Sequence, residues 1–141
     1  MNPNLIAPCG MNCTLCIGYL REKNTCPGCR EQGKVINAKT TYCRKCIIKN
    51  CEILRDNNWK FCSGKCEKYP CQRLKNLDRR YRTKYGMSMI ENLEFIHEHG
   101  IRKFSRHEKT RWMKEGKVFC VHRKAWFEFV HKIKFDSDEK Y

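Results

Sequence analysis

No stretch of this 141-residue chain is apolar enough to span a membrane. Its first residues, Met1 to Cys9, carry neither a basic leader nor an apolar run of export-signal length, which predicts a cytoplasmic protein. Apolar residues make up only 40%, little for a large buried core, so something besides hydrophobic burial must help to hold the chain together. Acids are few, 15 against 30 Lys and Arg, and they are scarcest in the first half. Paired carboxylates, a Ser-His-Asp arrangement and a Gly-rich phosphate loop are all missing, so the sequence offers no catalytic constellation of those kinds. Internal repeats and low-complexity tracts are missing too.

Cysteine, by contrast, is abundant, at 12 residues, and a chain so rich in it is stapled either by disulfides or by metals. A secreted disulfide scaffold would need the export signal that is lacking. In a reducing compartment, clustered thiols persist as metal ligands or redox centres. The formal charge of +15 would attract polyanions such as nucleic acid. Eight thiolates on two zinc ions would lower that figure to about +11, which is still strongly basic.

Eleven of the cysteines fall in four groups: Cys9, Cys13 and Cys16; Cys26 and Cys29; Cys43, Cys46 and Cys51; Cys62, Cys66 and Cys71. Two thiolates separated by two residues can turn back on one ion, and the turn frees backbone N–H groups to hydrogen-bond the sulfurs. Three such pairs occur here, at Cys13 and Cys16, Cys26 and Cys29, and Cys43 and Cys46. Cys26-Pro27-Gly28-Cys29 resembles a zinc knuckle, in which proline fixes one dihedral and glycine admits the left-handed residue. All eleven are candidate metal ligands. Cys120 stands apart and reads as packing, even with His122 nearby. His97, His99, His107, His122 and His131 read as surface or packed side chains rather than ligands.

Soft thiolates suit two or more structural zinc ions, or alternatively an iron-sulfur cluster with a redox, electron-transfer or sulfur-transfer role. Eleven ligands fill two four-coordinate sites with three left over. The spacing Cys9-x3-Cys13-x2-Cys16 matches radical enzymes that use S-adenosylmethionine, but this chain has no repeated strand-helix pattern from which to build their barrel. Pro70 precedes Cys71, whereas proline follows the last cysteine of the bacterial ferredoxin run.

The predicted fold is small, metal-stabilised and of an α plus irregular class. A loop-rich cysteine module, residues 1–71, is punctuated by Gly and Pro and is followed by a basic, mainly helical segment, residues 72–141, packed on it. From Gln72, Leu74, Leu77, Tyr81 and Tyr85 recur at helical spacing with Arg and Lys on the other faces. Ser88 with Glu91 three residues on signals a second helix, closed by Gly100. A third is expected from about Arg102 to Met113, interrupted by Gly116. Residues 118–121 look strand-like, 125–130 could be strand or buried helix, and the polar tail 136–141 is expected to fray.

The order Cys9-Gly10-x2-Cys13-x2-Cys16, then Cys26-Pro27-Gly28-Cys29, Cys43 and Cys46, and Phe61-Cys62-x3-Cys66-x2-Tyr69-Pro70-Cys71 before Gln72-Arg73-Leu74, resembles a cysteine-rich prokaryotic family catalogued as domain of unknown function number 3795. The similarity continues through Glu91 to Ile96 and Gly100-Ile101. It implies zinc bound through these cysteines and no defined activity. Some similar proteins end in a further cysteine-rich ribbon after the position of Trp112, where this chain keeps only Cys120 and His122.

The function expected is a metal-stabilised binding module. Its partner could be nucleic acid, with phosphates paired to Arg79, Arg80 and Arg82, or another protein, docked on an apolar patch near Trp112 and Trp126. Tyr81 and Tyr85 could stack on bases, but their spacing favours the core.

Overall fold

A computed structural model of the chain describes residues 1–30, 43 and 45–128. The polar tail 136–141, His131 and the end of the segment read as strand or helix lie outside them. Within the described residues the protein is a small α+β fold with five helices and one three-stranded sheet.

The first half is built as the frequent Gly and Pro require. Its described residues hold two single 3-10 turns, Pro3–Leu5 and Cys13–Leu15, and two short helices, α1 (Ile17–Leu20) and α2 (Glu52–Asp56). Three longer helices follow: α3 (Gln72–Tyr85), α4 (Met89–His99) and α5 (Ile101–Trp112). Helix α3 stops at Gly86, which is left-handed (φ 66°) and donates its N–H to the Tyr81 carbonyl. Helix α4 starts at Ser88, whose Oγ accepts the Glu91 N–H at 3.1 Å.

Where an α plus irregular fold was expected to end in one short strand or helix, a sheet forms. Strands β1 (Met113–Lys114), β2 (Lys117–Cys120) and β3 (Ala125–Glu128) pair antiparallel in that order. Gly116, read as a helix interruption, is instead the second residue of a tight β1–β2 turn, in which Glu115 and Gly116 both have positive φ. Side chains alternate along β2: Val118 and Cys120 are fully buried, while Lys117 and Phe119 point outward.

One apolar core takes residues from both halves, including Leu5, Leu15, Leu74, Met89, Leu93, Val118 and Val121. The halves are also hydrogen-bonded: the Val121 N–H donates to the Leu15 carbonyl at 3.1 Å, and Asn92 on α4 donates to the Gly10 carbonyl at 3.0 Å. Cys120 lies in this core, as its isolation suggested.

Each basic helix carries a single acid, and that acid is turned inward. On α3 it is Asp78; on α5 it is Glu108, which is fully buried. Glu108 Oε2 accepts the Trp112 indole N–H at 2.8 Å, and Oε1 has no hydrogen-bond partner among the described residues. Burial raises its pKa from the ordinary 4.5, against the opposing effects of the Trp112 bond, the Arg111 charge and the Asn12 side chain. A carboxyl with a raised pKa holds its proton more tightly folded than unfolded. It therefore favours the fold below the unfolded pKa, and that contribution is lost as pH rises through the folded one. Glu108→Gln removes the titration. The urea midpoint of the wild type should fall relative to the variant between acid and neutral pH; parallel midpoints would show that Glu108 does not titrate in this window.

Candidate metal centre

The first cysteine group sits on a tight ribbon. The Ala7 N–H donates to Met11 O at 2.8 Å and the Gly10 N–H to Ala7 O at 2.9 Å, which turns the chain at Cys9-Gly10. Gly10 has φ 91°, and a Cβ there would stand 2.8 Å from the Met89 carbonyl oxygen, so helix α4 lies directly against the loop. Asn12 then caps the 3-10 turn that carries Cys13, its Oδ1 accepting the Thr14 N–H at 3.1 Å.

Long-range backbone bonds bring the other groups to this ribbon. The Cys26 N–H donates to the Gly18 carbonyl at 2.7 Å, and a Cβ on Gly18 would stand 3.5 Å from both Cys16 Sγ and Cys26 Cβ. The Cys62 N–H donates to the Pro8 carbonyl at 3.0 Å, drawing the fourth group to Cys9. Arg30 clamps the same junction: its Nε donates to Ile6 O and its Nη2 to Lys60 O, each at 2.8 Å, with the guanidinium 4.7 Å from the Phe61 ring centroid. Sequence reasoning missed this residue; its place directly after Cys29 was the available signal.

The thiols are consequently neighbours across groups. Burial pushes the Cys9 thiol up to about 12, and the charges of Cys29, Cys46 and Cys62 push the same way, against the Met11 amide. Cys13 is raised chiefly by burial and also by Cys29, Cys16 and Cys9. Cys16, also raised mainly by burial, feels Cys43 and Cys26. Cys29 is pushed to about 11 by burial, with Lys49 opposing and Cys43 and Cys46 reinforcing. Cys62 is pushed to about 12 by burial and then by Cys71, Cys51, Cys66 and Cys46. The groups overlap rather than separate: Cys9 feels Cys29, Cys46 and Cys62, and Cys46 acts on Cys9, Cys29 and Cys62 alike.

None of the twelve cysteines is in a disulfide, and Cys43 is the exposed one. Among the described residues, no three His, Cys, Asp or Glu side chains converge closely enough to hold one metal ion. The donor set is nevertheless of one chemical kind, sulfur, which suits zinc or iron and not a hard oxygen-seeking cation. An open groove of about 330 Å³, lined by Pro8, Cys29, Arg30, Lys49, Leu54 and Trp59, leads from solvent to one of these thiols.

His122 takes no part as a free donor, because both ring nitrogens are engaged. Nδ1 accepts the Ile17 N–H at 3.3 Å, and Nε2 lies 2.9 Å from Tyr81 Oη. This fixes Nε2 as the protonated nitrogen, donating to the tyrosine oxygen. Tyr81 and Tyr85 pack on each other and on the same imidazole, as core residues. On α4 and α5, His99 and His107 lie against the Phe95 ring.

Charge is sorted by helix. With Asp78 and Glu108 buried, α3 presents Arg73, Lys75, Arg79, Arg80, Arg82 and Lys84, and α5 presents Arg102, Lys103, Arg106, Lys109 and Arg111. Helix α4, which packs against both, carries Glu91, Glu94 and Glu98 and no Lys or Arg. Of the three arginines read as phosphate contacts, Arg82 is tied to Asp78 at 2.8 Å; Arg79 and Arg80 are exposed. No described helix is long and apolar enough to cross a membrane. No family model matches the chain, and no match is found among curated proteins or solved structures, so its function must be read from its own residues.

Proposed function

We propose that the protein is a metal-binding module in which the thiolates of the four cysteine groups hold two or more structural zinc ions, and that its basic helices present the module to nucleic acid. The observation that carries the metal reading is that thiols from four separate stretches of chain lie near enough to act on one another, without a disulfide. Burial and neighbouring cysteines oppose ionisation of these thiols, a cost that a bound cation would offset, and zinc accepts four thiolate ligands without redox chemistry. The candidate ligands are Cys9, Cys13, Cys16, Cys26, Cys29, Cys43, Cys46, Cys51, Cys62, Cys66 and Cys71. The resemblance drawn from the spacing of these cysteines points the same way. For nucleic acid, the exposed Arg79 and Arg80 on α3 supply phosphate contacts that salt would weaken.

Iron-sulfur ligation is the second reading. It is favoured by the count of eleven, which exceeds by three what two tetrahedral sites use. One anaerobically purified sample decides between them. About two zinc ions per chain, with no acid-labile sulfide and no visible absorbance, are expected for the first reading. Iron with sulfide and a broad brown absorbance would overturn it in favour of the second, and a metal-free folded protein would overturn both.

A further inference from the structure

The outward face of the C-terminal sheet carries an aromatic column. Trp112, at the end of α5, stacks on Phe119 of β2 with centroids 5.6 Å apart and planes 13° from parallel. Phe119 is the register partner of Trp126 on β3, so both rings lie on one face, edge to face at 5.5 Å. Trp112 is held by its bond to Glu108, and the Arg111 guanidinium lies over its ring at 4.5 Å from the centroid. The ring left open is Trp126, which is 47% exposed among the described residues. A tryptophan held against a rigid column with that much open surface is a stacking surface rather than a core residue.

The surroundings define what it would stack. Between Lys109 and Glu128 there are six Lys and Arg residues and two acids. Lys114 and Lys117 are register partners beside the column, and Arg111 caps it; Lys117 reaches Glu128 at 3.7 Å on the exposed side. The cationic side of α5 runs into this end of the sheet. Exposed rings among cations match a strand that offers phosphates and unpaired planar bases together, and a duplex would keep its bases stacked on each other instead.

We infer that the outward sheet face around Trp126 is a stacking platform for single-stranded nucleic acid, with Arg111, Lys114 and Lys117 meeting its phosphates. The inference rests on the nucleic-acid part of the proposed function and adds to it the surface that takes bases. Helix α3 has no open ring and offers charge alone.

The test uses the full chain and a fluorescein-labelled oligouridylate, with a duplex of equal phosphate count as comparison, read by fluorescence anisotropy at several salt concentrations. The single strand should bind more tightly than the duplex. Trp126→Ala should weaken it by about tenfold while leaving duplex binding unchanged, and Trp126→Phe should restore most of the loss. Because Trp126 is exposed, neither change should disturb the fold, and the thermal melt checks this. If Trp126→Ala binds like the wild type, while Arg79→Glu with Arg80→Glu weakens both ligands, the platform is wrong and the charged-helix reading survives. If the wild type binds neither ligand, both fall. If Trp126→Ala alters sedimentation and not oligonucleotide binding, the face is a protein contact and the platform is likewise overturned.

Discussion

If the cysteines hold zinc as proposed, stripping it under reducing conditions should abolish the cooperative thermal transition of the N-terminal half and most of that of the whole chain. The expectation follows from magnitudes. A structural zinc site contributes about 10–16 kcal/mol of apparent binding free energy, whereas an entire small domain is stable by only about 5–15 kcal/mol. The first half cannot make up such a loss from its own burial. Its regular structure among the described residues amounts to single turns and helices of four and five residues. Helices that short do not stand alone in water.

The damage should extend into the helical half because the core is shared. Leu5, Leu15 and Met11 pack with Leu74, Leu93 and Val121, and Asn92 is bonded to the Gly10 carbonyl. Circular dichroism and a thermal melt, before and after a strong chelator with a reductant, would measure it. Loss of the transition, with recovery on adding zinc back, is the expected result. An unchanged melt after verified metal removal would show that sulfur packing alone holds the fold, and the metal reading would then have no structural role.

The sequence made the helices legible because their signals are local. Ser88, Glu91 and Gly100 bracket α4, and Leu74, Leu77, Tyr81 and Tyr85 mark the inner face of α3. The cysteine groups were legible for the same reason. What lies between them was not: that Cys62 meets Cys9 depends on the Pro8 carbonyl and on Arg30, bonds that join residues 24 or more positions apart. The β1–β2 turn was hidden by its composition, since Glu115-Gly116 lacks the asparagine or aspartate that usually announces such a hairpin. The buried acids could have been found. Asp78 sits four residues after Leu74 and three before Tyr81, and Glu108 four after Phe104 and four before Trp112, each on the apolar stripe of its helix.

Asp78 should be the most costly single polar side chain to remove. Its residue is 5% exposed, and its carboxylate takes three donors: Ser88 Oγ at 2.6 Å, the Ile90 N–H at 3.1 Å and Arg82 Nε at 2.8 Å. Two of these belong to the start of α4, where unpaired backbone N–H groups and the positive end of the helix dipole both favour an anion. Asp78 thereby fixes Ser88, whose oxygen in turn accepts the Glu91 N–H. Asp78→Ala should cost about 3–5 kcal/mol, because the Ser88 hydroxyl and the Ile90 N–H both lose a charged acceptor, at about 1.5–3 kcal/mol for each such hydrogen bond. Arg82→Ala should cost much less, because the arginine side chain is 55% exposed and exposed ion pairs contribute about 0–1 kcal/mol. Urea denaturation of both variants, with metal content held equal, separates two roles for the carboxylate. A large loss for Asp78→Ala beside a small one for Arg82→Ala means that the acid serves mainly as the anchor of α4. Equal losses would mean that the ion pair dominates, and Arg82 would then be committed to the fold rather than to phosphate. The first outcome also links the helical half to the thiols: α4 is the element that presses on Gly10, and loosening its first turn should lower retention of the zinc proposed at the adjacent Cys9.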